Sequence, residues 1–312
     1  MKNKSSRRDF LRLSATGALG AFFLAQYACK QGTTVPATDK QKVDPKSFGL
    51  ALQLYTIRDA MQTDVPGSLK QVSDIGFKYI ELAGYGDRKF YGMEPADFKK
   101  LVEDLGMEIL SSHTNVEAEG ITLDNAKFMA EDHAKLGVKY CVQPWVVPEA
   151  RTVDSYKKMV QDWNTVGKIM KENGIKFGYH NHNFEFANLN GTVPFFDIIM
   201  ADLDKEIIIE LDLFWTNKAG HNPVDIFNRY PGRFELWHMK DMYTNEAPKF
   251  TTDGETDFAP VGEGVINFKE ILAAKDVAGM KYMIVEQDST KDGKPFEAIQ
   301  KSITNLTTEI LV

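Results

Sequence analysis

Apolar and polar positions along the chain fall into two kinds of segment that take turns. A stretch of helical periodicity ends in glycine, and a short, continuously apolar run follows. The junction recurs as Ile75-Gly76-Phe77-Lys78-Tyr79, Leu105-Gly106-Met107-Glu108-Ile109, Leu136-Gly137-Val138-Lys139-Tyr140, Asn173-Gly174-Ile175-Lys176-Phe177 and Ala278-Gly279-Met280-Lys281-Tyr282. Glycine suits the position just past a helix because it takes positive φ without a steric cost. An apolar run without alternation suits a strand buried on both faces of a parallel sheet. The pattern predicts strands over 49–54, 77–82, 107–113, 138–144, 175–181, 206–212, 234–239 and 281–286. It predicts helices over 66–75, 95–105, 122–136, 153–173, 193–203, 223–229, 267–275 and 293–310, with caps at Thr122, Thr152 and Asn267.

Eight strands alternating with eight helices specify an α/β fold, a (β/α)8 TIM barrel over residues 48–312. The rival is a doubly wound open sheet, which often carries a glycine-rich phosphate turn after its first strand. Here Leu54 runs into Tyr55-Thr56-Ile57-Arg58, and the chain has no Gly-x-Gly-x-x-Gly motif.

Residues 1–28 break the rhythm. Ser6-Arg7-Arg8-Asp9-Phe10-Leu11-Arg12 resembles the twin-arginine export signal of bacteria, and the weakly apolar run to Ala28 is too short and too polar to span a bilayer. Cys29 follows Ala28 as a candidate lipidation site, and 29–47, rich in Thr, Lys, Gln and Pro, is expected to be a flexible linker. The expected location is therefore the periplasm or the cell surface, with the membrane touched only through a lipid anchor. The whole chain has 312 residues, 37 Lys and Arg and 44 Asp and Glu; residues 1–28 hold five of the basic residues and one acidic one. The remainder carries 32 against 43, a net charge of about −11. An acidic body argues against nucleic acid as a partner. Two cysteines exclude a disulfide framework and a thiolate cluster, so any metal must be held by His and carboxylate. Cys141 is expected in the core, and His133 and His221 on the surface.

A TIM barrel works at the C-terminal ends of its strands. Those ends carry Gln53 and Tyr55, Glu81, His113, Gln143 and Trp145, then Tyr179 to Phe186, Glu210-Leu211-Asp212, Trp237 to Asp241, and Glu286-Gln287-Asp288. Charged groups inside a barrel need a cation or a substrate as partner. Glu185, Asp212, His238 and Glu286 come from the last four strands, and three carboxylates with one imidazole suit one divalent metal: Mn, Mg, Co or Zn.

With these residues the chain resembles the xylose-isomerase-like TIM barrel superfamily, often labelled sugar phosphate isomerase/epimerase, over residues 48–312. The resemblance rests on Tyr179 to Phe186, Leu211 to Trp215, His238 to Asp241, and Glu286. It implies that Glu185, Asp212, His238 and Glu286 hold one metal. Trp215 and Lys240-Asp241 stand where ketose epimerases carry His and Gly-Glu, which points away from a ketose substrate. The expected chemistry is removal of a C–H proton beside a carbonyl, with Glu185 and Glu286 as the paired acid and base. Glu81, His113, His182 and Lys240 are expected to contact substrate hydroxyls or relay a proton. Trp145, Trp215 and Phe184 are expected to cover an apolar sugar face. Export favours a keto-sugar or 3-keto-glycoside as the small-molecule partner, isomerised or epimerised. The alternatives are a 3-keto-glycoside lyase or hydrolase, and a non-catalytic sugar-binding lipoprotein.

Overall fold

The computed structural model describes residues 43–114, 120–188 and 193–312; the expected export segment, Cys29 and the linker as far as residue 42 lie outside the described residues. The chain is tied down from Val43, whose N–H donates to the Thr307 carbonyl at 3.0 Å, and Asp44 caps the short turn Pro45–Phe48. The expected linker therefore stops short of residue 47.

Eight strands form where the apolar runs predict them. They are β1 (Leu50–Gln53), β2 (Tyr79–Leu82), β3 (Glu108–His113), β4 (Tyr140–Gln143), β5 (Lys176–His180), β6 (Ile208–Asp212), β7 (Leu236–Met239) and β8 (Tyr282–Val285). All neighbours are parallel, and β1 pairs with both β2 and β8, so the sheet closes into a barrel. Gly76, Gly106, Gly137, Gly174 and Gly279 all take positive φ, as the junctions require.

The main helices match their expected positions, for example Val65–Ile75, Pro95–Asp104 and Val153–Glu172. Thr152 and Asn267 cap as expected, accepting from the Ser155 and Glu270 N–H groups. Thr122 does not. Its own N–H donates to Asn125 Oδ1, Asn125 also binds the Gly120 carbonyl, and this local turn delays the helix to Ala126–Leu136. Two short helices that the periodicity did not show, Arg58–Thr63 and Leu213–Lys218, follow β1 and β6 closely. Among the described residues no helix is long and apolar enough to cross a membrane.

The alternation of side chains along a strand explains where polar groups go. Outward residues such as Ile80, Phe177, Ile209, Trp237 and Met283 pack under Val72, Phe98, Val160, Val166 and Ile299 of the helices. Each such buried side chain contributes roughly 1.5–3 kcal/mol. Inward residues form layers. Ala51, Leu110, Val142, Ile208, Leu236 and Ile284 make an apolar floor. Two residues further along β1, β6, β7 and β8 stand Gln53, Glu210, His238 and Glu286, all buried.

His133 is a correction: it is fully buried, not superficial. The hairpin of Tyr85–Gly86 with Lys89–Phe90 lies over it, with Tyr85 and Phe90 ring centroids 5.1 and 5.0 Å away. Its nitrogens meet Thr114 Oγ1 at 2.9 Å and the Met129 carbonyl at 2.7 Å. Burial lowers its pKa to about 4, so it is neutral. His221 is exposed, and Cys141 is a buried free thiol.

Candidate active site

A cavity of about 440 Å³ opens beyond the strand ends. Tyr55, Tyr85, Trp145, Trp215 and Phe258 supply aromatic surface; His113, His180, His182, Lys240, Glu286 and Asp288 supply polar atoms. An apolar pocket with a few convergent polar groups is the usual form of a small-molecule site.

Glu210 is the hub beneath it. Its Oε2 atom accepts from His113 Nε2, lies 3.1 Å from His180 Nδ1, and lies 3.1 Å from His238 Nε2. Glu81 Oε1 adds bonds of 2.8 Å to Gln53 Nε2 and 2.8 Å to His238 Nε2. With one nitrogen of His180 and of His238 engaged below, the other nitrogen of each points up the barrel. His238 Nδ1 is 2.7 Å from Glu286 Oε2, and His180 Nε2 is 3.7 Å from Asp212 Oδ2. Ligand-type atoms of Asp212, His238 and Glu286 all lie within 4.8 Å of one another. A second group, His113, His180, Glu210 and His238, meets the same criterion; there three ring nitrogens crowd a single oxygen, Glu210 Oε2.

Lys240 completes the upper cluster. Its buried ammonium is 2.6 Å from Glu286 Oε2, 2.9 Å from Asp288 Oδ1 and 3.2 Å from Asp212 Oδ2. Burial works against its charge, but Asp288, Glu286 and Asp212 outweigh it and hold the pKa well above the ordinary value. Burial likewise opposes a charged His238, and Glu210 and Glu286 overcome it, raising its pKa. His180 goes the other way: burial and the nearby His238 push it down to about 3. Asp288 is raised to about 6 by burial, with Lys240 as a partial offset.

The structure brings most of the expected site residues together. Asp212, His238 and Glu286 converge, and His113, Trp145, His182, Trp215 and Lys240 line the cavity. Three of the expected residues stand elsewhere. Glu185 does not join the other three proposed ligands. After His180 the chain leaves the strand and turns through Phe184–Phe186, so one Glu185 oxygen accepts from the Tyr179 hydroxyl and the other from the His182 N–H at 2.8 Å. Burial raises its pKa to about 7, partly offset by those two donors. Glu81 is fully buried below the cavity and supports His238 instead of facing a ligand. Phe184 is buried behind Trp145, ring centroids 5.3 Å apart, with the Arg151 guanidinium 4.5 Å from the Trp145 ring and 3.4 Å from the Phe184 ring. His180, Glu210 and Asp288 were in the strand-end pattern without a role; spacing of two from Asp212 and Glu286 marks Glu210 and Asp288 as sharing their face.

The far wall is built by the segment after β7. Asp241 gathers four backbone N–H groups, those of Met242, Gly262, Gly264 and Ile266, at 2.8–3.1 Å. The loop between them carries Thr252, Glu255 and Phe258 to the cavity. Buried Lys218 lies 3.5 Å from both Glu255 and Asp257, and Asn183 Nδ2 donates to the Lys249 and Thr251 carbonyls at 3.0 Å.

The fold and this site can be set beside known proteins. An inosose dehydratase of Lacticaseibacillus casei is 28% identical over 162 residues, 48% of this chain and 53% of that protein. The chain spans about half the length of most of the curated relatives it matches, and 90% of an inosose dehydratase of Geobacillus kaustophilus at 22% identity over 80% of this chain. A sugar phosphate isomerase/epimerase from Parabacteroides distasonis superposes with a TM-score of 0.68 at 29% identity, covering 83% of this chain and 97% of that one. The IolI protein with a bound zinc atom shares the fold, with a TM-score of 0.63 at 20% identity over 84% of this chain and 99% of that one. The family profile described as xylose isomerase-like TIM barrel matches residues 69–308, and the chain belongs to that family.

Proposed function

We propose that this chain is a divalent-metal-dependent enzyme that removes a proton beside the carbonyl of a keto-sugar or 3-keto-glycoside. The supporting observation is the donor set Asp212, His238 and Glu286, whose ligand-type atoms lie within 4.8 Å of one another at the base of a sugar-sized aromatic cavity, with His180 Nε2 beside them at 3.7 Å from Asp212 Oδ2. The fit to a metal has local support: Asp212 Oδ2 is buried and accepts no well-formed hydrogen bond. One imidazole with two carboxylates, and a second imidazole next to Asp212, suit Zn, Mn or Co. Glu210 holds the far nitrogens of both imidazoles, as outer carboxylates do in metal sites. The bound zinc in the IolI neighbour points the same way.

Bound there, a divalent ion would supply Lewis acidity for a carbonyl and its neighbouring hydroxyl. The chain's own residues do the rest. Trp145, Trp215 and Phe258 bury the ring and exclude water. Asp288 stands at the wall with a pKa near 6, so it is ionised at neutral pH yet basic enough to take a proton. Lys240 beside it steadies the negative charge that develops. His113 and His182 line the cavity where substrate hydroxyls would lie.

The fate of the carbanion separates isomerase from lyase. Return of the proton to the other face gives epimerisation or isomerisation. Loss of a β-oxygen gives elimination, and the likeness to inosose dehydratases favours that branch as the second reading. We propose, from the resemblance of Ser6 to Arg12 to an export signal, that the reaction runs outside the cytoplasm. Mn-loaded protein incubated with 3-keto-glucosides or keto-inositols in D₂O, followed by NMR, tests it. Deuterium at the carbon beside the carbonyl supports an isomerase, and a vinylic signal with loss of a hydroxyl or glycosidic group supports a lyase. Neither, in protein that holds metal, rejects the proposal.

A further inference from the structure

We infer that Lys240 is a built-in cation that occupies the metal position and moves onto Asp288 when a divalent ion enters, so that metal occupancy delivers its ammonium to the substrate cavity. This rests on the metal reading above. The ammonium touches Glu286 Oε2 at 2.6 Å and Asp212 Oδ2 at 3.2 Å, the same two oxygens the donor set offers to a metal. His238 Nδ1, on the same Glu286 oxygen at 2.7 Å, closes in from another side. Two cations cannot share these atoms at contact distance without strong repulsion. Lys240 therefore has to leave when a metal arrives, and Asp288 offers a place for it. Asp288 Oδ1 is already 2.9 Å away, outside the ligand group, and its side chain is 23% exposed at the cavity wall. The flexible four-carbon stem of lysine allows the shift with the backbone fixed. In its inner position Lys240 also neutralises carboxylates that would otherwise repel one another in the barrel.

Titration of Mn²⁺ followed by the EPR signal of the free ion tests this without reference to activity. It needs four proteins: wild type, Lys240→Met, Asp288→Asn and the double variant. Lys240→Met should bind Mn²⁺ at least about fivefold more tightly than wild type. Asp288→Asn should weaken binding in the wild-type background, and at least about threefold of that effect should vanish once Lys240 is gone. Thermal melts establish that each protein is folded, and Lys240→Gln serves if Lys240→Met is not. Equal or weaker binding by the lysine variants overturns the inference, as does an Asp288→Asn effect of the same size in both backgrounds. Absence of Mn²⁺ binding from both wild type and the lysine variants would remove the metal reading itself, and the inference with it.

Discussion

Arg88 grips Asp132 through two parallel hydrogen bonds of 2.8 Å, from Nε and from the terminal nitrogen. Tyr85, on the same hairpin as Arg88, donates its hydroxyl to the same carboxylate at 3.0 Å. Burial, then the Asp132 carboxylate, raises the Tyr85 pKa beyond the physiological range, so the phenol keeps its proton and turns its ring to the cavity. The hairpin needs holding: Asp87, Arg88 and Tyr91 all take positive φ, a region that costs side-chain-bearing residues about 1 kcal/mol or more each. Asp132→Ala should therefore raise amide hydrogen exchange over 84–91 while the barrel strands stay protected. It should also weaken ligand binding more than turnover. Arg88→Lys should recover only part of the protection, because an ammonium keeps the charge and loses the fork. Unchanged exchange in Asp132→Ala would contradict this account.

Glu210 is expected to control metal affinity without touching the metal. Its Oε2 lies 3.1 Å from both His180 Nδ1 and His238 Nε2, the latter also bonded to Glu81 at 2.8 Å, and so turns the other nitrogen of each ring towards Asp212 and Glu286. A glutamine amide in its place could donate as well as accept and would let the tautomers scramble. Glu210→Gln should lower metal affinity by about 10–100-fold, the usual cost of an outer-shell change. Asp212→Asn, which removes a ligand charge, should lower it further. Isothermal titration with Zn²⁺ or Mn²⁺ compares the three proteins; a Glu210→Gln affinity equal to wild type rejects the role.

Glu185 gives a pH signature. Its pKa rises from 4.5 unfolded to about 7 folded, because burial disfavours the carboxylate more than Tyr179 and the His182 N–H favour it. Between those values the folded state binds the extra proton, so this group's contribution to stability falls as pH rises from about 4.5 to 7. Glu185→Gln keeps the shape and removes the titration. Urea unfolding at pH 5 should find the variant close to wild type, and at pH 8 more stable by on the order of 3 kcal/mol. A difference that does not depend on pH would mean that folding leaves the Glu185 pKa unshifted.

How much of this was legible in the sequence depends on the range of the interaction. The barrel was, because each helix and apolar strand is a local pattern, five of them joined through glycine, and eight such units allow few other closures. Asp212, His238 and Glu286 were, because strand ends of a closed barrel must converge. Glu185 was misplaced because its fate is set by a short turn, which folds its carboxylate back onto the His182 N–H. His133 was misplaced because the cover over it comes from Tyr85 and Phe90, far earlier in the chain. No periodicity in its own helix records that hairpin. Lys240 illustrates a third case. Its departure from the ketose-epimerase pattern was visible, but that its ammonium would sit among the metal-type oxygens is a fact of three dimensions.

Asp241 provides the last prediction. A carboxylate that accepts four backbone N–H groups from Met242 to Ile266 pins both ends of the loop that walls the cavity. The packing is close enough that a Cβ on Gly264 would stand 2.2 Å from Asp241 Oδ1 and 2.3 Å from the Met242 carbonyl. Gly264→Ala must push the clamp open, whereas Asp241→Ala leaves four N–H groups without their acceptor. The second change should cost about 1–3 kcal/mol, since the buried Met242 N–H and three donors on half-buried or exposed backbone lose a charged partner. The first should cost less stability but free the loop, moving Thr252, Glu255 and Phe258 off the cavity. If those residues recognise the part of the substrate remote from the carbonyl, Gly264→Ala should raise KM for a keto-glycoside by a larger factor than for a free keto-sugar, and leave Mn²⁺ affinity as in wild type. Equal factors for both substrates would show that the wall shields the site without reading the ligand.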